Sequence, residues 1–351
     1  MLSESWKRKL INFTHSGVGQ RYPLRTRLEL PKTVLGRKLR QRKIMTDPFP
    51  WLTKIKGEVK RDELMMAHTS IRIGGPADFF ILPKDIQDLQ TIYRQNGETP
   101  IFALGEGTNL LVKDNGIRGI VISLKDSFRS IHPPVFTQSA EKKETAVIRV
   151  GGGVKLSYLA KYAARYSLTG IENLVGIPGS LGGAVIMNAG AEGTEIGPFI
   201  RSVTRVTTSG EIEVLKGEEI TFSYRKSIFP SAGGIVVEAE LELEKGDMKT
   251  IHETMNSHLE RRSSKQPLTV PNSGSIFKNP PNDSAGRLIE SAGLKGYSVG
   301  QAGISRKHAN FIVNKGNASA KDVLGLIAHI QDVVEEKTGI KLEREIVVIG
   351  G

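Results

Sequence analysis

Apolar positions along the chain recur at two spacings, and the switches between them divide it into elements. Ile86, Leu89, Ile92 and Tyr93 fall on one face of a helix that Gly97 is placed to stop. The same period predicts helices over 154–168, with Leu156, Leu159, Ala163 and Tyr166 inward, and over 248–262, with Ile251, Met255 and Leu259. A last helix, 320–337, begins with Ser319 and Asp322 in capping-box spacing. Strand patterns occupy 69–73 and 77–82 around the Gly74-Gly75-Pro76 turn, then 100–104, 116–124 and 146–150. Further on, 200–215 reads as a hairpin hinged at Ser209-Gly210. Residues 235–243 alternate as a half-buried strand, and 341–349 form a final one. Residues 126–145 are irregular and polar, and 171–191 read as an uncharged, glycine-rich buried loop. Helices do not alternate regularly with strands, so the pattern predicts an α+β protein in three pieces with mixed or antiparallel sheets.

Charge changes the picture at one end only. The first 61 residues hold 16 Lys+Arg against 4 Asp+Glu, whereas the remaining chain is balanced at 33 against 33, so the net +12 belongs to the N-terminal segment. Residues 1–61 therefore read as a solvated, poorly ordered basic extension, with 1–44 dispensable and Met45 a natural start, and no nucleic-acid partner is expected for the neutral body. The longest uncharged stretch carries Pro178 and five glycines, which argues against a membrane span. No signal-peptide core follows Lys7-Arg8-Lys9, and a cytoplasmic protein is expected. The chain has 351 residues, enough for two or three domains, and no cysteine, which excludes disulfides, thiolate metal sites and cofactors tethered through sulfur. Its seven histidines form no close ligand pair, so no metal is expected.

The chemistry-bearing candidates are loops. Glycine is abundant, with 38 residues, and two runs stand out: Gly105-Glu-Gly107-Thr108-Asn109, and Gly176-Ile-Pro178-Gly179-Ser180-Leu-Gly182-Gly183. Glycines let successive backbone N–H groups converge on an anion, so each run is a candidate pyrophosphate cradle, although most glycine pairs are only tight turns. Leu110 stands where G-x-G-x-x-G needs its third glycine and no helical pattern follows, so the Rossmann reading fails. Polar residues in unusual contexts complete the set: Tyr224-Arg225-Lys226-Ser227, Asn272-Ser-Gly-Ser275-Ile-Phe-Lys278-Asn279-Pro280 and Glu343-Arg-Glu345.

Taken in order, His68-Thr-Ser-Ile-Arg-Ile-Gly-Gly-Pro-Ala-Asp, Leu104-Gly-Glu-Gly-Thr-Asn-Leu-Leu-Val, Gly176-Ile-Pro-Gly-Ser-Leu-Gly-Gly-Ala, Tyr224-Arg-Lys-Ser-Ile-Phe, Asn272-Ser-Gly-Ser-Ile-Phe-Lys-Asn-Pro and Leu342-Glu-Arg-Glu-Ile resemble the UDP-N-acetylenolpyruvoylglucosamine reductase (MurB) family. The likeness runs from about residue 63 to the end. The step from Tyr224-Arg225 to Phe229-Pro230 resembles the shorter form of the family, without an inserted tyrosine-bearing loop.

The resemblance implies a three-domain flavoprotein with the vanillyl-alcohol-oxidase (PCMH) type of FAD-binding fold and a C-terminal α+β substrate domain. Its FAD-binding subdomains would span 62–125 and 126–246, and its substrate domain 247–351. It implies noncovalent FAD, NADPH as hydride donor, and reduction of UDP-N-acetylglucosamine enolpyruvate to UDP-N-acetylmuramate for peptidoglycan synthesis. By match to the motifs, Arg225, Ser275 and Glu345 would be catalytic. Gly105, Gly107, Thr108, Asn109, Gly176, Pro178, Gly179, Ser180, Gly182 and Gly183 would contact FAD, and Tyr224, Lys278 and Asn279 the substrate. Another FAD-dependent sugar or hydroxy-acid oxidoreductase of the same fold is the alternative.

Overall fold

Three main sheets organise the fold, which a computed structural model describes for residues 49–138 and 143–351. The chain divides after Pro48 into two units, and the second, Phe49–Gly351, is the one described. The expectations for residues 1–48 lie outside the described residues.

The first sheet runs Glu58–Leu64, Pro76–Leu82, Ile117–Ser123, Ile101–Leu104, its first pair antiparallel and the others parallel. Helix Ile86–Gln95 makes the crossover and buries Leu89, Ile92 and Tyr93, as its period requires. The expected extension to residue 61 is corrected here. Trp51, Leu52 and Ile55 are buried in the core beneath this helix, and Glu58–Leu64 is a paired strand. The buried Asp88 carboxylate also accepts the backbone N–H groups of Lys56 and Gly57 at 2.9 Å each. Basic residues dominate the count of this segment, but its few large apolar side chains decide its fate.

A second correction concerns 69–73. This stretch forms a turn, with Arg72 in the left-handed region at φ +57° and the Thr69 hydroxyl donating to the Ile73 carbonyl at 2.8 Å. A side chain that bonds its own backbone competes with a strand ladder.

The second sheet is antiparallel, in the order Ile212–Lys216, Ile200–Val206, Ile235–Lys245, Glu144–Gly151, Val135–Gln138, with Leu168–Thr169 joining the far end of the third of these. Helices Leu156–Arg165 and Leu181–Met187 pack on its inner face. The second helix lies inside the stretch expected to be a loop. Ser180 caps it by accepting from the Gly183 N–H, and Asn188 closes it at φ +43°. Two adjacent glycines hide so short a helix from its period.

The third sheet, Asn272–Ser275, Phe311–Asn314, Ala302–Ile304, Ser298–Val299, is antiparallel and shares its core with helices Ala285–Ser291 and Ala320–Thr338. Ile71, Ile73 and Leu111 from the N-terminal half enter the same core. The expected strand 341–349 is regular only at Val347–Ile349, which pairs in parallel with Leu110–Val112, directly after the first glycine run. Its earlier part is bent because the N–H groups of Glu345 and Ile346 both donate to the Ile276 carbonyl, at 2.8 and 3.3 Å.

Candidate active site

That bend and that pairing bring the C-terminus to the glycine loops. The Asn109 side-chain amide donates to the Glu345 carbonyl at 3.1 Å, and the Val347 N–H donates to the Asn109 carbonyl at 3.1 Å. A cavity of about 440 Å³ opens there. Gly105, Gly107, Thr108, Asn109, Pro178, Gly179, Ser180, Gly182 and Gly183 line it, together with Arg225, Ser275 and Glu345.

The two glycine runs are joined by the Thr108 hydroxyl, which donates to the Pro178 carbonyl at 2.8 Å. Their glycines are needed for different reasons. Gly107 sits at φ +64°, and a Cβ there would lie 2.0 Å from the His68 carbonyl oxygen. At Gly182 a Cβ would press at 3.2 Å on the carbonyl oxygens of Gly152 and Val236, so this glycine lets the helix approach the sheet. A Cβ on Gly179 would meet only Thr108 Oγ1, at 3.8 Å, and so would take up cavity space.

Arg225 and Glu345 form the charged centre. Arg225 Nε donates to Glu345 Oε1 at 2.8 Å, and Nη2 donates to the Gly190 carbonyl at 2.9 Å. Arg225 itself adopts φ +57°, a conformation that costs a non-glycine residue energy and recurs at functional positions. Burial pushes the Glu345 carboxyl above the usual carboxylate range, and Arg225 offsets part of that rise. Ser275 follows a distortion of the ladder between the pairs Asn272–Val313 and Ser275–Phe311. Gly274 at φ +76° and its N–H, held by Asn272 Oδ1 at 3.0 Å, shape that bulge.

Four of the expected contact residues do not line this cavity. Gly176 is off the cavity wall, and a Cβ on it would meet Arg262 Cδ at 3.2 Å. Tyr224 is exposed, with the Arg225 guanidinium 4.8 Å from its ring centre. Lys278 pairs with Glu343, and exposed Asn279 accepts the Ala285 N–H at 3.1 Å, at the start of helix Ala285–Ser291.

The lining residues that the sequence does not single out include Arg262, Gln266 and Ser273. Gln266 Oε1 and Ser273 Oγ are buried with no hydrogen-bond partner, which in a native structure calls for a ligand or water to complete them. Partial burial of Arg262 makes its cation costly, though no arginine gives up its proton under ordinary conditions. Arg262 ends the helix that the period predicts over 248–262 and Gln266 follows it, and a 3.6-residue period carries no sign of a ligand. Ser273 lies two residues before Ser275 in the same run, and nothing in its spacing sets it apart.

The cradle therefore suits a long anionic ligand, with glycines open to the cavity, unsatisfied polar atoms and a cation on its wall. Residues 77–216 match the model of an FAD-binding domain, which defines the chain as an FAD-dependent flavoprotein of α+β fold. Residues 266–349 match the C-terminal domain of UDP-N-acetylenolpyruvoylglucosamine reductase. The chain is 42% identical over 313 residues to UDP-N-acetylenolpyruvoylglucosamine reductase 2 of Symbiobacterium thermophilum, covering 89% of this chain and 96% of the relative. It is 43% identical over 309 residues to the reductase of Caldanaerobacter subterraneus subsp. tengcongensis, covering 88% and 98%. Among solved structures it is similar to the MurB of Thermus caldophilus, with a TM-score of 0.70 at 37% identity over 84% of this chain and all of that one. The chain belongs to the UDP-N-acetylenolpyruvoylglucosamine reductase (MurB) family.

Among the described residues no cluster of His, Asp or Glu is arranged to hold a metal, and no helix is long and apolar enough to cross a membrane.

Proposed function

We propose that this cavity carries out the NADPH-dependent reduction of UDP-N-acetylglucosamine enolpyruvate to UDP-N-acetylmuramate with FAD as the bound cofactor, in the cytoplasm, for peptidoglycan precursor synthesis. The observation that carries the assignment of residues is the convergence of the Arg225–Glu345 pair and Ser275 on the cavity that both glycine runs line. The runs 105–109 and 178–183 hold the diphosphate, with Arg262 as the neighbouring cation and Ser273 and Gln266 completing their hydrogen bonds on the cofactor. When bound, FAD accepts a hydride from NADPH and supplies it to the terminal methylene carbon of the enolpyruvyl group.

Negative charge then builds on the adjacent carbon and its carboxylate. Arg225, fixed by Glu345 and by the Gly190 carbonyl, faces that charge without having to reorganise. Removing one such preorganised contact typically costs about 100- to 1000-fold in rate. Ser275 delivers the proton to the charged carbon. The elevated proton affinity of Glu345 suits it to hold a proton near the same place. Lys278 is paired with Glu343, and the Arg225–Glu345 centre assists Ser275.

Stopped-flow absorbance of the flavin tests this, because the two half-reactions are separable. Ser275→Ala should be bleached by NADPH at the normal rate and recoloured by the substrate at least about 100-fold more slowly. Slow bleaching with normal recolouring would show that Ser275 is not the proton donor.

A further inference from the structure

The tiny hairpin of Gly190–Ala191 and Thr194–Glu195 lies against Arg225, and apart from the Gly190 carbonyl it has no task in the chemistry above. Besides the Gly190 carbonyl that accepts from Nη2, it brings Glu195 Oε1 to 3.7 Å from Arg225 Nη1. Glu195 meets the guanidinium at Nη1, whereas Glu345 meets it at Nε, so the two carboxylates hold different edges of the plane. The hairpin is itself tied down from three directions. Asn173 donates to Thr194 Oγ1 at 2.8 Å, Arg261 pairs with Glu192 at 2.9 Å, and Asn188 Nδ2 donates to Glu195 Oε2 at 2.6 Å.

Asn188 is the junction of this network. It is 1% exposed and ends helix Leu181–Met187 in the left-handed region, where asparagine is tolerated better than most residues. Its amide also donates to the Ser223 carbonyl at 3.0 Å and its Oδ1 accepts the Gly197 N–H at 3.0 Å. One buried side chain thereby links the helix end, the hairpin and the loop that carries Arg225.

We infer that Glu195, held in place by Asn188, is a positioning residue that braces the Nη1 edge of Arg225, so that the guanidinium keeps its remaining N–H groups turned toward the substrate carboxylate. This rests on the proposed role of Arg225. An arginine side chain is long and flexible, and Glu345 grips it only at Nε. Contacts at Nη1 and Nη2 fix the rotation of the plane, and small misplacements of a catalytic group cost as much as about 100-fold in rate.

Glu195→Gln is the cleanest probe. It is isosteric, keeps an oxygen for Asn188, and removes the charge that faces Arg225. Asn188→Ala would instead leave the buried Gly197 N–H and Ser223 carbonyl unpaired. In the FAD-loaded full chain, Glu195→Gln should show wild-type flavin content, melting temperature and bleaching by NADPH. Its limiting rate of recolouring by UDP-N-acetylglucosamine enolpyruvate should fall about 10- to 100-fold. Glu195→Asp, which keeps the charge at shorter reach, should retain more of that rate than Glu195→Gln. Wild-type recolouring in Glu195→Gln, an equal loss in both half-reactions, or the reverse order of the two variants would overturn the inference. A wild-type protein whose flavin the substrate does not recolour would instead overturn the underlying assignment of function.

Discussion

Gly107 and Gly179, one in each of the two glycine runs, should respond to substitution in different ways, because a Cβ would meet the His68 carbonyl oxygen at 2.0 Å in the first and only Thr108 Oγ1 at 3.8 Å in the second. Alanine at position 107 would place Cβ 2.0 Å from the His68 carbonyl oxygen at φ +64°. The backbone angle alone costs roughly 1–2 kcal/mol. Relieving the overlap adds about 1–3 kcal/mol, as overpacking does elsewhere. At about 2–4 °C per kcal/mol for a chain of this size, Gly107→Ala should lower Tm by at least about 4 °C. Valine at position 179 also strains the backbone, at φ +159°, but meets no wall, since the nearest heavy atom to a Cβ there is Thr108 Oγ1 at 3.8 Å. Its branches would occupy space assigned to the diphosphate, at a cost to binding of about 1–3 kcal/mol, or roughly 5- to 150-fold in Kd. Thermal melts of the apoprotein and titration of FAD by flavin fluorescence read the two effects separately. An unchanged Tm in Gly107→Ala, or FAD binding to Gly179→Val as tight as in the parent chain, would refute the reasoning for that position.

Deleting residues 1–44 should leave flavin content and turnover unchanged, whereas deleting 1–61 should lower Tm steeply, because it removes buried Trp51, Leu52 and Ile55 and most of the strand Glu58–Leu64; Trp51→Ala alone should cost about 3–5 kcal/mol in a denaturant melt. Asp114 accepts the first two N–H groups of helix Ala320–Thr338, at 2.8 and 3.1 Å, so Asp114→Ala should cost about 1 kcal/mol in the same assay. Glu345 has a folded-state proton affinity above its ordinary pKa of 4.5, so the stability it contributes is full below that pH and is lost as pH rises through the raised value. The Tm of Glu345→Gln, which cannot ionise, should therefore gain on that of the parent chain as pH rises from about 4, and a constant difference would contradict the raised affinity.

The long elements were legible because their periods are strong: helix Ile86–Gln95 and strand Ile235–Lys245 stand where the apolar spacing puts them. What escaped was decided by contacts distant in sequence. Residues 69–73 have strand-forming side chains, yet the Thr69 hydroxyl closes a turn. Arg262 and Ser273 look ordinary until the fold sets both on one cavity wall. The motif match singled out Arg225, Ser275 and Glu345, and the fold gathers these three despite their separation along the chain. Asn279 shows the opposite case, a motif residue whose side chain is engaged by a helix N-terminus.

The most direct test of the central claim is one spectral cycle on the purified full-length protein under anaerobic conditions. The protein should be yellow, its flavin absorbance bleached by NADPH and restored by UDP-N-acetylglucosamine enolpyruvate, with UDP-N-acetylmuramate formed in equal amount. A protein that neither carries nor takes up FAD, or whose bleached flavin is recoloured by oxygen but not by that substrate, would contradict it.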